Sequence, residues 1–210
     1  MSHHATVLLD LLRHGEPSGG ECYRGQQDDP LTEKGWRQMR QAVGVFSGWD
    51  HLLSSPLRRC SEFADELAQK TSLPLNVNPL LKEISFGEWE GRTAQDIEQT
   101  HAQALYNFWQ DPVLYTPPGA EPLLDFERRI DNVLQTFIAN HHHQHVLVIC
   151  HAGVIRMILK QVLGLPIERL FAIQIPHAAL TRLQFEIYDG QVSSSLIFHN
   201  SQLIDHEPIP

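Results

Sequence analysis

The sequence predicts an α/β fold with a largely parallel central sheet. Short apolar runs typical of strands alternate with longer amphipathic segments typical of helices. The run Val146–Cys150 is apolar at every position, as expected for a strand that is covered on both faces. With 42% hydrophobic and 20% charged residues, the 210-residue chain has enough apolar side chains for one full core.

The individual elements follow from the spacing of apolar residues and from the turn residues between them. Predicted strands are Thr6–Leu12, His51–Ser54, Leu75–Val77, Val146–Cys150, Phe171–Ile175, Thr181–Tyr188 and Val192–Phe198. Predicted helices are Trp36–Phe46, Leu57–Leu67, Ala94–Tyr106, Phe126–Ile138 and Gly153–Leu163. Asp189-Gly190 joins the last two strands as a hairpin. Asp10 is a carboxylate inside the first strand, where burial would require a polar partner.

The chain shows no internal repeat and no clean linker, so a single domain spanning residues 1–210 is predicted. Residues 82–119 are less regular and are interpreted as a lid-like insertion. The N-terminus lacks the pattern of a signal peptide, and no apolar run approaches the length of about 20 residues that a bilayer requires. Three cysteines without a metal-ligand spacing are typical of reduced thiols. A cytoplasmic protein is therefore expected.

The charge balance limits the classes of partner. A formal net charge of -9 argues against a protein that coats nucleic acid through a basic surface. Net charge says nothing about where the arginines lie, so a positive pocket for a small anion remains compatible with it. A small-molecule ligand is expected, with no nucleic acid and no membrane, and a homodimer is left open.

Two predicted strands each end in a histidine with a glycine close by. His14 and Gly15 follow the first strand, and His151 and Gly153 follow Val146–Cys150. Ligands of open α/β sheets bind beyond the carboxyl ends of the strands, so both histidines are expected in one crevice. The glycines would let the backbone approach an anion, and the helix that starts near Gly153 would offer free N–H groups.

Arginines accompany these histidines. Arg13 precedes His14, and a third strand end leads into Arg58 and Arg59 in the first turn of a helix. Guanidinium groups bind phosphoryl oxygens in a bidentate manner, and imidazoles can donate to the remaining oxygens. Spacing alone does not decide whether Arg58 or Arg59 points inward.

Five motifs occur in a fixed order: Arg13-His14-Gly15-Glu16, Pro30-Leu31-Thr32-Glu33-Lys34-Gly35, Ser54-Ser55-Pro56-Leu57-Arg58-Arg59, Glu83-Ile84-Ser85-Phe86-Gly87-Glu88-Trp89-Glu90-Gly91 and His151-Ala152-Gly153-Val154-Ile155-Arg156. Together they resemble the histidine phosphatase superfamily, in its phosphoglycerate-mutase-like branch. The resemblance covers nearly the whole chain. It implies a three-layer α/β/α sandwich around a mixed, mostly parallel sheet.

The resemblance also implies roles for particular residues. His14 would be the nucleophile that forms a phosphohistidine, and Glu83 would be the general acid. The non-bridging oxygens would be bound by Arg13, Arg59 and His151, because the family's arginine falls at position 59.

Further substrate contacts are expected around this centre. The candidates are Gly15, Gly153, Tyr23, Arg24, His177 and Glu121. Two of these regions depart from the family pattern, since many relatives carry asparagine near Tyr23 and Arg24 and again near His177. Each of those three residues has a structural alternative, and Glu121 is expected to pair with one of the phosphate-binding arginines.

Other polar residues are interpreted as structural. Glu88 and Glu90 are expected to be turn or surface carboxylates. His141, His142, His143 and His145 lack cysteine or carboxylate partners at ligand spacing and are interpreted as surface residues. No metal and no cofactor are expected.

These observations favour a phosphomonoesterase that acts on a small metabolite. The run from Arg24 to Thr32 resembles that of α-ribazole phosphatases, which suggests α-ribazole 5′-phosphate, a precursor in cobalamin biosynthesis, as the substrate. A phosphoglycerate-mutase-type phosphotransferase is the alternative, and a non-catalytic phosphate-binding regulatory module is a third hypothesis.

Overall fold

The computed structural model describes residues 4–201, which form a six-stranded sheet. The strands are β1 (His4–Arg13), β2 (His51–Ser54), β3 (Leu75–Val77), β4 (His145–Cys150), β5 (Leu180–Tyr188) and β6 (Gln191–Ser201). Their spatial order is β3-β2-β4-β1-β5-β6. The first three pairs in this order are parallel and the last two are antiparallel. The predicted mixed, mostly parallel sheet is confirmed.

Helices cover both faces of the sheet. They are α1 (Glu33–Val43), α2 (Arg58–Thr71), α3 (Ala94–Gln110), α4 (Leu123–Asn140) and α5 (Ala152–Val162). Val146 and Val148 of β4 pack on one side with α4 and α5. Leu147 and Ile149 pack on the other side with α1 and α2. Alternate side chains of one strand therefore enter two separate cores, which produces the three-layer α/β/α sandwich.

The parallel strands β2, β4 and β1 end side by side. Arg13 lies opposite Cys150, and Ser54 lies opposite Ile149. The ladder continues for one more residue, because the His14 amide donates to Cys150 at 3.0 Å and the Ser55 amide donates to Ile149 at 3.0 Å. His14, Ser55 and His151 consequently leave the sheet at one edge.

The buried carboxylate of Asp10 has the polar partners that its position requires. Arg182 donates to it through two nitrogens at 2.8 and 2.9 Å, and Trp49 donates at 2.8 Å. Burial raises the pKa of Asp10, but hydrogen bonds from Arg182 and His145 outweigh it and hold the pKa below its ordinary value. His145 lies 2.9 Å from the Asp10 carboxylate and is buried, so the prediction of a surface residue was wrong for His145.

The predicted strand Phe171–Ile175 was also wrong. Residues Ile167–Ala172 form a 3₁₀ helix, and the chain then runs irregularly into β5. Phe171 packs against Phe108 and Trp109 instead of joining the sheet. The carbonyls of Ile173 and Ile175 accept hydrogen bonds from arginine side chains instead of a neighbouring strand. Short apolar runs fit a strand and a buried turn equally well.

Residues 82–119 contain a 3₁₀ helix at Gly87–Trp89 and the helix α3, which has a kink at His101. Trp89, Ile97 and Phe108 form a small core there, separate from the two main ones, against which Tyr23 packs. Within residues 4–201, no helix has the length and apolar character needed to span a membrane.

Candidate active site

His14 lies at the end of β1 with its imidazole held in one tautomer. Its Nδ1 atom is 2.8 Å from the carbonyl oxygen of Gly15. A carbonyl can only accept, so Nδ1 carries the proton and Nε2 keeps its lone pair. Burial, together with the positive charges of Arg59 and Arg13, lowers the pKa of His14 well below its ordinary value. The imidazole is therefore neutral near pH 7 and nucleophilic at Nε2.

Gly15 is needed for the close approach of two segments. A Cβ atom at this position would lie 2.2 Å from the carbonyl oxygen of Gly35, at the start of α1. The same segment is tied to α1 by Thr32, whose amide donates to the Glu16 carbonyl at 2.9 Å. The carbonyl that orients His14 is thus fixed by packing against α1.

His151 faces His14 from the end of β4. The two rings are 5.3 Å apart between centroids, and His151 is fully buried. Its Nε2 atom lies 2.7 Å from the hydroxyl of Ser55, a buried residue at the end of β2. Burial and the charge of Arg59 lower the pKa of His151 well below its ordinary value. Ser55 belongs to one of the five motifs, but its place in the sequence did not predict this contact.

Arg13 and Arg59 bring two positive charges to the histidines. Arg59 is 1% exposed and donates to the carbonyls of Gln27 at 2.6 Å and Gly25 at 2.7 Å. Arg13 donates to the Ile175 carbonyl, and burial lowers its pKa to about 10, so it stays charged at pH 7. In both residues the Nε atom is buried and has no hydrogen-bond partner within residues 4–201. Such unpaired donors are costly unless an anion completes the site.

The neighbouring arginine, Arg58, points away. It is exposed and pairs with Glu62 one turn further along α2. The ambiguity that spacing left between Arg58 and Arg59 is thereby removed, because only Arg59 points toward the histidines.

Glu83 reaches the site from the loop that follows β3. Its Oε2 atom accepts from the Gly153 amide at 3.0 Å, and its Oε1 atom accepts from the Ile84 amide at 3.0 Å. The Gly153 amide is one of the free donors in the first turn of α5 and was expected to bind substrate. In this structure it donates to Glu83. A Cβ atom on Gly153 would lie 2.2 Å from the Glu83 Oε1 atom.

Two other glutamates, Glu90 and Glu121, have contacts that the sequence did not predict. Glu90 lies in a turn, as predicted, but it is not a simple surface residue, because it is partly buried and accepts three hydrogen bonds through one oxygen, whereas Glu88 is exposed. Glu121 pairs with Arg129 at 2.7 Å, not with Arg13 or Arg59. Arg129 also donates to the carbonyls of Leu80 and Lys82, at 2.5 and 2.9 Å, in the segment that leads to Glu83.

The remaining candidates differ in their distance from His14. The His177 ring lies 5.8 Å from the His14 ring, and burial lowers the pKa of His177 to about 4. Arg24 forms an ion pair with Asp29 and donates to the Gly20 carbonyl. Tyr23 accepts a hydrogen bond from Trp109 at 3.0 Å, linking its loop to α3. His177 is thus beside His14, while Arg24 and Tyr23 form hydrogen bonds with other groups of the protein.

Comparisons with known proteins identify the family of the chain. A family model described as "Histidine phosphatase superfamily (branch 1)" matches residues 9–196. The adenosylcobalamin/alpha-ribazole phosphatase of Escherichia coli is 29% identical over 176 residues, which cover 80% of this chain and 85% of that protein. The alpha-ribazole phosphatase of Shigella flexneri superposes with a TM-score of 0.79 at 26% identity, covering 96% of this chain and 100% of that one. A mycobacterial glucosyl-3-phosphoglycerate phosphatase with inorganic phosphate has a TM-score of 0.79 at 25% identity, covering 93% and 97%.

Proposed function

The chain belongs to branch 1 of the histidine phosphatase superfamily, and on that basis we propose that it hydrolyses a small phosphomonoester through a phosphohistidine on His14. One observation carries the proposal. The Gly15 carbonyl accepts a hydrogen bond from the protonated Nδ1 of His14, which leaves Nε2 unprotonated beside two arginines whose Nε atoms lack partners within residues 4–201. That combination suits in-line attack on a bound phosphoryl group.

In the first step, His14 Nε2 forms a bond to phosphorus while the bond from phosphorus to the ester oxygen breaks. Charge on the non-bridging oxygens is balanced by Arg13 and Arg59, with His151 as a further hydrogen-bonding group. Glu83, in its protonated form, gives its proton to the departing oxygen, so an alcohol leaves. The product of this step is an alcohol and a phosphohistidine.

In the second step, water attacks the phosphorus. Glu83, now a carboxylate, accepts a proton from that water, the bond between Nε2 and phosphorus breaks, and inorganic phosphate is released. His14 returns to its neutral form and Glu83 to its protonated form. The guanidinium groups supply the positive charge that a divalent cation supplies in other phosphatases, so the proposed reaction needs no metal.

The substrate proposed is α-ribazole 5′-phosphate. Its support is the similarity in sequence and structure to enzymes named alpha-ribazole phosphatases. The resemblance of the run from Arg24 to Thr32 to that of α-ribazole phosphatases is the second support. A phosphoglycerate-mutase-type phosphotransfer is the second candidate, and a non-catalytic phosphate-binding module is the third. Hydrolysis is preferred over transfer because a mutase has to exclude water, and the insertion between Glu83 and Glu121 is short.

The organisation of the chain is part of the same proposal. Residues 1–210 are one domain in which residues 82–119 serve as a lid, although residues 1–3 and 202–210 lie outside the described part. The contact between Trp109 and Tyr23 is where such a lid would meet the loop next to the site. The protein is proposed to be cytoplasmic and to act on a small molecule without nucleic acid or membrane, as a monomer or a homodimer.

A screen of phosphorylated metabolites, with α-ribazole 5′-phosphate included and EDTA in excess, tests the proposal. Release of inorganic phosphate is expected, fastest with α-ribazole 5′-phosphate. Isomerised product without phosphate release would indicate a mutase. A large loss of activity in EDTA would contradict the metal-free mechanism.

A further inference from the structure

Glu90 joins two segments of the candidate site through a single oxygen atom. Its Oε1 atom accepts hydrogen bonds from the Gln26 amide, the Ser85 hydroxyl and the Phe86 amide, each at 3.0 Å. Gln26 belongs to the loop after β1, whereas Ser85 and Phe86 follow Glu83. A carboxylate can accept several such bonds at once, and bonds to a charged acceptor are stronger than neutral ones.

The first of these segments holds Arg59. The carbonyls of Gly25 and Gln27 accept from the two terminal nitrogens of Arg59 at 2.7 and 2.6 Å. The amide of Gln26, between these two carbonyls, is the group that donates to Glu90. Gly25 has a φ of 52°, and a Cβ there would lie 2.2 Å from Glu90 Oε1. The loop that fixes the guanidinium is therefore packed directly on the Glu90 carboxylate.

The second segment carries Glu83. Ser85 and Phe86 come two and three residues after it, so their bonds to Glu90 set the path of the chain that leaves Glu83. The Gln26 side chain also donates to the Glu83 carbonyl at 3.1 Å. The loop that holds Arg59 and the segment that bears Glu83 are thus joined at Glu90 and again at Gln26.

We propose that Glu90 is a positioning residue that fixes Arg59 and Glu83 relative to each other. The role rests on the proposed function, in which Arg59 binds the phosphoryl group and Glu83 protonates the leaving group. Removal of the carboxylate leaves three donors without their acceptor and frees both segments to move. Displacements of about 1 Å in catalytic groups can cost on the order of 100-fold in rate.

The test compares E90A and E90Q with E88A, which removes an exposed carboxylate two residues away. Turnover of p-nitrophenyl phosphate and of an alkyl phosphate is measured, together with binding of inorganic phosphate by titration calorimetry. E90A is expected to lose about 10- to 100-fold in kcat/KM, more with the alkyl phosphate because a misplaced Glu83 protonates it poorly. Phosphate binding is also expected to weaken, because Arg59 is no longer held. E90Q retains an acceptor oxygen and should fall between E90A and the wild type, while E88A should match the wild type.

A merely structural role has a different result. In that case E90Q would have a lower Tm, but its phosphate affinity and its ratio of kcat/KM for the two substrates would equal those of the wild type. This result would overturn the proposal. If E90A does not fold, E90Q alone decides it. If the wild type hydrolyses no phosphomonoester, the proposed function fails, and unchanged phosphate affinity in E90Q would separately refute the role of Glu90.

Discussion

Replacement of Gly153 by alanine is expected to lower the activity of the enzyme without lowering the stability of the fold. Gly153 lies in the first turn of α5, and its φ is not in the left-handed region, so alanine fits the backbone. The added Cβ would lie 2.2 Å from the Glu83 Oε1 atom, against 3.4 Å for an ordinary contact. The carboxylate has to move by about 1.2 Å, and a shift of that size can cost on the order of 100-fold in rate.

Folding should not suffer, because the atom displaced is the end of a flexible side chain. Alanine is favoured over glycine in helices by up to about 1 kcal/mol, so the Tm should stay equal or rise. Activity should fall by about 10- to 100-fold with alkyl phosphates, whose leaving groups need a proton, and much less with p-nitrophenyl phosphate. Thermal unfolding and kcat/KM with both substrates provide the measurement.

A double-mutant cycle decides whether the effect passes through Glu83. In an E83A background the carboxylate is already absent, so G153A should cause no further loss with either substrate. An equal loss in both backgrounds would show that Gly153 acts on the phosphate site directly, and the assignment of Glu83 as general acid would lose its structural support.

Three further predictions concern charge and chemistry. H14A should abolish hydrolysis of p-nitrophenyl phosphate without lowering the Tm by more than a few degrees; turnover near that of the wild type would refute the phosphohistidine mechanism. In the free enzyme the pKa of His14 lies well below its ordinary value, so its ring should remain neutral at pH 6 in an NMR titration; charging near pH 6.5 would contradict the effect of burial and the two arginines. D10N should destabilise the fold by about 3–5 kcal/mol in denaturant titrations at pH 7, because it leaves the Arg182 cation buried without its carboxylate. The folded-state pKa of Asp10 is lowered, so its contribution is present at neutral pH and is lost as the pH falls below about 4. D10N should therefore lose less stability between pH 5 and pH 3 than the wild type.

The sequence predicted the elements whose pattern is strictly local. β2 and β3 occur at their predicted residues, and β4 begins one residue early, because runs of apolar residues bounded by turn signals fix such strands. The convergence of His14 and His151 was predictable for a related reason, since parallel strands present their carboxyl ends at one edge. The errors arose where the local pattern of apolar residues fits more than one structure. Phe171–Ile175 is apolar enough for a strand, yet it forms the end of a 3₁₀ helix and an irregular segment, where Phe171 packs against α3 and the Ile175 carbonyl accepts a hydrogen bond from an arginine.

The residues that support the site could not be predicted, because each has at least one partner in a segment that is distant in the sequence. Glu90 and Arg129 bind backbone amides and carbonyls, respectively. Because these groups occur all along the chain, the identity of the neighbouring residues does not indicate which of them Glu90 and Arg129 contact. Ser55 is similar, since a hydroxyl beside a proline is common at turns, and only the register of β2 against β4 places it on His151. His145 looked like the end of a polar loop, but its side chain turns inward to Asp10.

These supports also explain how a site with buried positive charge persists in an acidic protein. Arg59 and Arg13 are held by carbonyl oxygens, which orient a guanidinium group without neutralising it. A carboxylate in the same place would bind the arginines strongly and would compete with the substrate phosphate. The nearby carboxylates of Glu90 and Glu121 are occupied elsewhere, by backbone donors and by Arg129. Apart from Glu83, which the proposed mechanism uses, these carboxylates are in structural contacts, and neither Arg13 nor Arg59 forms an ion pair with a carboxylate within residues 4–201.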